Sequence, residues 1–193
     1  HDGGALTNQT IHHVDLLRHL GGDVRRVNAT MRALGADIEV EDTTVATIEY
    51  ATGAVGTLES TTAARPDDFE ASISLVCSEG LAQVGGIAVN ELQSFTPDPG
   101  ACASNSEDFV GIDGHGAVYG YGHIAMYTDI VGAFNQSGDY PVTAADCRET
   151  LKLLNAFYRS DEAGGWVDVD SAAESPRLGR PDDAISSIYR TPA

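Results

Sequence analysis

Four polar side chains near the N-terminus are spaced so that a single helix would present them together. They lie in the stretch "GGALTNQTIHHVDLLRHLGG", residues 3–22, and are Asn8, His12, Asp15 and His19. At about 100° per residue, these positions fall within an arc of roughly 60° on a helix. The opposite side is apolar and carries Val14, Leu16, Leu17 and Leu20. The spacing therefore predicts one packed face and one face able to do chemistry.

His12 is the best candidate on this face for moving a proton, because histidine exchanges protons near neutral pH more readily than other side chains do. One helical turn earlier, Asn8 can donate or accept a hydrogen bond and so orient a hydroxyl-bearing substrate. Asp15, nearly one turn later, can hold the same substrate. The pattern favours His12 and Asn8 as catalytic residues and Asp15 as a substrate-binding residue.

Two other interpretations of this face stay open. A polar helix face can simply be solvated. Alternatively, His12, Asp15 and His19 have the i, i+3 and i+7 spacing that can converge on one metal ion, which would indicate a metal-dependent hydrolase or lyase. The sequence has no HExxH motif. His13 falls near the middle of the apolar arc and is predicted to be a core or inter-domain histidine.

A second candidate region is the glycine-rich stretch "GHGAVYGYGHIAMYTDIV", residues 114–131. It places His115, Tyr119, Tyr121 and His123 close to a predicted helix N-terminus, where free backbone N–H groups favour negative charge. We expect Tyr119, Tyr121 and His123 to contact substrate. The glycines do not form GxGxxG after a strand, so the region does not indicate a nucleotide-binding turn.

The elements that must position these residues begin with a helix and continue as strands. A glycine turn at residues 3–9 leads into the helix, and Gly21 and Gly22 end it. An extended run follows, and then a hairpin about Gly53, where a tight turn requires positive φ. Further alternating stretches reach residue 95. We expect four to six antiparallel strands in this part of the chain.

The second half of the sequence is predicted to be helical. Residues 96–122 are predicted to form a long irregular loop, of a kind that often carries function. A helix at residues 123–138 and a second helix with Thr143 as its N-cap are predicted to follow. Strands in one part of a chain and helices in another predict an α+β fold with an antiparallel sheet covered on one face. Residues 1–170 are expected to form one domain, and residues 171–193 an extended C-terminal arm.

The charge and the cysteine content exclude several classes of partner. The chain has 29 acidic and 11 basic residues, a formal net charge of −18, and Lys152 is its only lysine. Such a surface repels nucleic acid and anionic membranes, and no apolar run approaches the roughly 20 residues of a membrane-spanning helix. We expect a halophilic protein, with an acidic mesophilic protein as the alternative. The three cysteines form no CxxC pair, which favours a cytoplasmic location.

Three blocks of the sequence follow the order of blocks in a known family. The first block, "GGALTNQTIHHVDLL", begins with two glycines and has an Asn four positions before a His. The second block, "EDTTVATIEYATGAVGTLESTTA", contains the predicted hairpin. The third block, "GHIAMYTDIVGAFNQSGDYPVTAADCRETLKLLNAFYRS", contains the predicted helix pair. Over about residues 3–168 the chain resembles the substrate domain of the Gfo/Idh/MocA family of NAD(P)-dependent oxidoreductases. The resemblance implies an open, mostly antiparallel sheet with helices on one face, as in the C-terminal domain of dihydrodipicolinate reductase.

The resemblance also implies a function, namely the substrate-binding half of a dehydrogenase that oxidises a ring secondary alcohol of a sugar, nucleotide sugar or inositol. His12 matches the catalytic histidine of the family, and Asn8 matches its Asp/Asn position. NAD or NADP would be bound mainly by an N-terminal Rossmann domain that this chain lacks, so we expect no turnover by the chain alone. A homo-oligomer would form through the sheet face, to which Ala71, Ile73 and Leu75 belong. The alternative is a non-catalytic binding or oligomerisation module.

Overall fold

Two compact units make up the chain. A computed structural model describes residues 3–66, 69–86, 89–104, 122–136, 140, 142–178 and 180–182. One unit consists of His1–Asp67 together with Thr143–Ala193, and the other consists of Asp68–Val142. Within those described ranges, no helix combines the length and the apolar character needed to cross a membrane.

The longer helices and the first six strands follow the order that the sequence pattern predicts. In chain order the described elements are α1 (Ala5–Asn8), α2 (Ile11–Gly21), β1 (Val24–Arg32), β2 (Thr43–Tyr50), β3 (Val55–Thr61), β4 (Ile73–Cys77), β5 (Gly80–Gly85), β6 (Glu91–Phe95), α3 (Ala101–Ser104), α4 (Gly122–Gln136), α5 (Ala144–Ala163) and β7 (Val167–Asp168). The short helices α1 and α3 and the two-residue strand β7 were not predicted.

The first unit contains a four-stranded antiparallel sheet in the order β3-β2-β1-β7. Alternate residues of β1 and β2 are buried, because successive side chains of a strand point to opposite faces. Helix α5 packs on β1, and α2 packs on α5. The core between them is formed by side chains that are at most 2% exposed: Leu6, Val14, Val27, Met31, Ile48, Leu153, Leu154, Phe157 and Tyr158.

The second unit contains a three-stranded antiparallel sheet in the order β4-β5-β6. A turn between Cys77 and Gly80 joins its first two strands, as the sequence predicts. Helix α3 packs against β6. Both units therefore combine antiparallel strands with helices, and the predicted α+β class with open antiparallel sheets is confirmed. The strands are divided between two sheets rather than gathered in one, because β3 and β4 each pair with a single neighbour.

Most of the predicted element ends are confirmed. Helix α2 ends at Gly21, and Gly22 follows at φ +87°. The Thr143 hydroxyl caps α5 by accepting a hydrogen bond from the Asp146 N–H at 3.1 Å. The hairpin turn holds Gly53 at φ +88°. The exception is α1, a short helix that occupies part of the glycine turn predicted for residues 3–9.

A buried carboxylate organises the connection between β1 and β2. Asp42 is fully buried, and its carboxylate accepts hydrogen bonds from the N–H groups of Leu34, Gly35 and Ala36 and from the Thr43 hydroxyl. Burial by itself would raise the pKa of Asp42, but these donors stabilise the charged form and hold the pKa below its ordinary value. The ordered loop places Glu41, the residue before Asp42, in contact with α1.

Candidate active site

The segment that carries Asn8 and His12 is held in place by Glu41. The Ala5 N–H donates to the backbone oxygen of Glu41 at 2.9 Å, and the Leu6 N–H donates to Glu41 Oε1 at 3.1 Å. A Cβ atom on Gly4 would lie 1.9 Å from the carboxyl carbon of Glu41. Glycine is therefore required at position 4, because only a residue without a side chain lets the carboxylate approach α1 this closely.

Glu41 also connects α1 to α5 through a chain of hydroxyl groups. The Tyr158 hydroxyl donates to Glu41 Oε1 at 2.7 Å, and it lies 2.7 Å from Thr7 Oγ1. Because a tyrosine hydroxyl has one proton and that proton points to Glu41, the Thr7 hydroxyl must donate to Tyr158. Glu41 is 1% exposed and Tyr158 is 2% exposed. Buried polar groups of this kind fix a local geometry when all of them are hydrogen-bonded.

The burial of this network changes its acid–base properties. Burial raises the pKa of Glu41 above its ordinary value, while hydrogen bonds from Tyr158 and Leu6 and the nearby Arg177 guanidinium oppose the rise. Burial, followed by the adjacent Glu41 carboxylate, raises the pKa of Tyr158 as well. The tyrosine hydroxyl consequently stays protonated and remains a donor to Glu41.

A cleft of about 360 Å³ opens beside α1. It is lined by Gly3, Gly4, Ala5, Asn8, Gln9, Ile38, Glu39, Val40, Glu41, Thr62 and Pro181. Asn8 is exposed and contributes to the wall, and its contact with a substrate stays a prediction. His12 is also exposed, on the first turn of α2, but it is not among the residues that line the cleft.

Asp15 lies in a polar network between α2 and α5. Its carboxylate accepts a hydrogen bond from the Thr150 hydroxyl, and it lies 3.8 Å from Arg18 Nη2. The Arg18 guanidinium in turn donates to Thr150 and pairs with Asp146. The structure thus gives Asp15 a role in joining the two helices. A substrate contact by the same carboxylate stays a prediction.

The structure does not bring His12, Asp15 and His19 together as one set of metal ligands. Among the residues that the structure describes, no group of three or more His, Cys, Asp or Glu side chains is placed to hold a metal ion. The physical reason is that Asp15 turns toward Thr150 and α5, while His12 and His19 are exposed to solvent.

Leu20, expected on the packed side of α2, is 44% exposed near the helix end.

His13 is half-buried, as the helical wheel predicts. Burial lowers its pKa, and the neighbouring His12 lowers it further. In the part of the chain with described coordinates, no hydrogen-bonding group reaches the buried Nε2 atom of His13. The neutral ring is therefore the favoured form, which suits a packing role better than proton transfer.

The second candidate region is only partly described. His123 is exposed on the first turn of α4, in the second unit. Tyr119 and Tyr121, together with His115, lie outside the described residues. A substrate contact by Tyr119, Tyr121 or His123 therefore stays a prediction.

Sequence reasoning missed Glu41 and Tyr158 completely. Glu41 stands in the stretch "IEVEDTT" among other acidic residues, and nothing in that pattern distinguishes a buried carboxylate from exposed ones. Tyr158 lies on α5, and no spacing or motif in the sequence singles it out. The available signal was Gly3-Gly4, since a glycine pair just before a helix can mark a close approach by another group.

Comparison with known proteins identifies the domain. The sequence profile described as the GFO/IDH/MocA C-terminal domain matches residues 1–83. The chain carries a GFO/IDH/MocA C-terminal domain. No curated protein matches the chain at a significant level of sequence similarity.

Solved structures extend the match beyond that range. The WlbA dehydrogenase from Bordetella pertussis, in complex with NADH and UDP-GlcNAcA, is 32% identical with a TM-score of 0.75, over 86% of this chain and 48% of that one. WlbA from Chromobacterium violaceum, in complex with the same two ligands, is 31% identical with a TM-score of 0.70, over 86% and 46%. GenD2 from gentamicin A biosynthesis, in complex with NAD, is 28% identical with a TM-score of 0.65, over 88% and 49%.

This chain spans about half the length of the solved structures that it matches. It is homologous to the C-terminal domains of NAD-dependent oxidoreductases. In the described part of its first unit, no strand leads through a glycine-rich turn directly into a helix, the arrangement that would cradle dinucleotide phosphates. The described residues of the first unit therefore do not fit the phosphate-binding part of a nicotinamide site.

The GFO/IDH/MocA C-terminal domain should show a pH dependence caused by Glu41. Because its pKa is raised, the folded protein holds the Glu41 proton more tightly than the unfolded chain does. Stability should therefore fall as the pH rises from the ordinary value of 4.5 through the folded pKa. Glu41→Gln cannot ionise, so its free energy of unfolding should improve relative to the wild type over this range. Urea unfolding between about pH 4 and about pH 7 measures the difference.

The matched control is Glu174→Gln, which removes an exposed carboxylate outside the helices and strands. A difference between Glu41→Gln and the wild type that stays constant with pH, and so parallels the control, would show that Glu41 does not carry this linkage.

Proposed function

We propose that this chain is the substrate-binding half of an NAD(P)-dependent dehydrogenase that oxidises a ring secondary alcohol of a sugar, nucleotide sugar or inositol. The observation that carries the proposal is the 32% identity to the C-terminal half of WlbA across 86% of this chain. The cleft beside Asn8 supports it, because amide and hydroxyl side chains such as Asn8, Gln9 and Thr62 are suited to binding the hydroxyls of a sugar ring.

In the proposed reaction, His12 accepts the proton of the substrate hydroxyl. Its exposed position on the first turn of α2 leaves the ring accessible to a substrate. Asn8 can donate or accept a hydrogen bond but cannot take up the proton, so its role is to orient the hydroxyl. When bound, NAD or NADP supplies the hydride acceptor, and we assign its binding mainly to the other half of the enzyme. Asp15, Tyr119, Tyr121 and His123 are proposed as further substrate contacts.

A cytoplasmic location is part of the proposal and rests on the cysteines. All three are free thiols, and Cys77 and Cys147 are exposed. Thiols that are exposed and unpaired suit a reducing compartment. The acidic composition, with a net charge of −18, likewise supports the proposal of adaptation to high salt.

His12→Ala in the complete enzyme should lower kcat by about 10²- to 10⁴-fold, the usual contribution of a positioned acid or base, and leave the KM for the nicotinamide cofactor nearly unchanged. Asn8→Ala should mainly raise the KM for the sugar. His19→Ala is the matched control, because it removes an exposed histidine from the far end of the same helix. Steady-state kinetics on the variants measure these effects.

Two results of that experiment would contradict the assignment of His12. Wild-type turnover by His12→Ala would favour the solvated-face interpretation. An equal loss of kcat in His19→Ala would mean that the loss in His12→Ala does not come from proton transfer at the position of His12. A complete enzyme that oxidises no sugar would instead favour the non-catalytic binding or oligomerisation module.

His13→Ala should act through stability, which thermal melts distinguish from a loss of kcat.

Homo-oligomerisation through an open sheet face is also proposed. Of the residues that the sequence predicts for this face, Ile73 is buried within the second unit, and Ala71 and Leu75 are partly exposed. The exposed apolar side chains of the first sheet are Val45, at 53% exposure, and Val55, at 77%, on the face opposite the helices. Thr47 and Thr57 lie between the two valines, so this exposed face mixes apolar and polar side chains, and we propose it as the contact with a second copy.

Val45→Glu should therefore dissociate the oligomer, because it places a second carboxylate beside Glu59 on the proposed interface. Light scattering at high salt should give a multiple of the monomer mass for the wild type and a lower mass for Val45→Glu. Ser171→Glu, on the exposed arm, is the control and should keep the wild-type mass. A monomeric wild type would rule out the proposed oligomer.

A further inference from the structure

The segment after β7 is fixed to the first unit by buried contacts. We call residues 175–182, of which all but residue 179 are described, the arm segment. Ser175 is 9% exposed, and its N–H donates to Asn155 Oδ1 at 2.7 Å. The Ser175 hydroxyl donates to Glu162 and accepts from the Arg177 N–H. Leu178 packs against the hydrophobic core. The arm segment is therefore part of the folded unit.

Arg177 forms ion pairs with an aspartate of α5 and with an aspartate at the end of the arm segment. Its Nη1 donates to Asp161 Oδ2 at 2.7 Å, and its Nε lies 3.1 Å from Asp182 Oδ2 in an ion pair that lacks hydrogen-bond geometry. The side chains of Arg177 and Asp161 are only 15% and 8% exposed, so solvent screens their ion pair weakly. The arginine thereby links Asp182 to Asp161 of α5, and its backbone oxygen accepts a hydrogen bond from the Arg180 N–H at 2.8 Å.

The far end of the arm segment reaches the cleft. The Asp182 N–H donates to the backbone oxygen of Glu39 at 2.7 Å, which ties the arm segment to the loop before β2. Pro181, one residue earlier, lines the same cleft as Asn8. Arg177 is therefore paired with the residue that follows Pro181, although Arg177 is not itself among the residues that line the cleft.

We propose that the arm segment is a specificity wall of the substrate cleft, with Pro181 as the residue that limits the bound ring and Arg177 as the residue that positions it. The inference rests on the proposed function, because it takes the cleft beside Asn8 as the place where a polyhydroxylated ring binds. Pro181 restricts the backbone as well as the space, since its ring fixes φ. A wall built in this way selects among rings by the size of their substituents.

The experiment compares sugar oxidation by the complete enzyme and its arm-segment variants. Pro181→Trp fills the cleft and should raise the KM for the sugar by about tenfold or more, which is the effect of a pocket misfit of this size, with the KM for the cofactor within about twofold of the wild type. Pro181→Gly should narrow the preference between sugars with small and large ring substituents. Glu174→Gln, just before the arm segment, is the matched control and should behave as the wild type.

Arg177 is tested by a variant pair and by a readout that does not depend on activity. Arg177→Leu should raise the KM for the sugar more than it lowers kcat, and it should speed amide hydrogen exchange in the peptide that contains Asp182. Arg177→Lys should partly restore both, because it returns a positive charge without the forked geometry of arginine. Asp182→Asn weakens the same ion pair without emptying a buried site, so it covers the case in which Arg177→Leu does not fold.

Each result is decisive. Raised sugar KM in Pro181→Trp and Asp182→Asn, with the control unchanged, supports the specificity wall. Wild-type KM values in these variants, in an enzyme that does oxidise sugars, overturn the wall and leave the proposed function standing. A wild-type enzyme that oxidises no sugar overturns the proposed function, and the wall falls with it.

Discussion

The first unit depends on one buried carboxylate. Glu41 accepts the first-turn N–H of Leu6 and the hydroxyl of Tyr158 on the same oxygen atom, so it connects α1, the loop before β2 and α5. A buried carboxylate is costly unless its hydrogen bonds are satisfied. Gly4 is the complement of this arrangement, because a side chain there would collide with the carboxylate. Asn8 comes at the end of the short helix that Glu41 holds, and its position follows from this contact.

Local patterns in the sequence were sufficient to predict the longer helices and the first six strands. The alternation of β1 and β2, the glycine turn at Gly53 and the Thr143 cap each follow from residues close to one another in the chain. The short helix α1 was not predicted, because its first N–H groups are satisfied by Glu41, some 35 residues away. Tertiary contacts of that range leave no periodicity in the sequence.

In the candidate site, too, the sequence predicts the local features and misses those that depend on distant residues. The helical wheel placed His12 on an exposed face and His13 on a packed one, and both expectations hold because burial along one helix is a local matter. The wheel could not foresee that Asp15 would face α5, since its partner Thr150 lies 135 positions later. It also treated Asn8 and His12 as parts of one continuous helix. The structure separates them into α1 and α2, so their relation depends on the turn at Gln9 and Thr10.

The central claim is that a sugar ring binds beside α1, with its reactive hydroxyl directed to His12. A crystal structure of the complete enzyme with NADH and a bound sugar tests this most directly. We predict a ring hydroxyl within about 3 Å of both the Asn8 amide and the His12 imidazole, which is hydrogen-bond distance for a proton-transfer pair, and ring carbons against Pro181. A ring bound away from Asn8, or a reactive hydroxyl that contacts neither residue, would contradict the account.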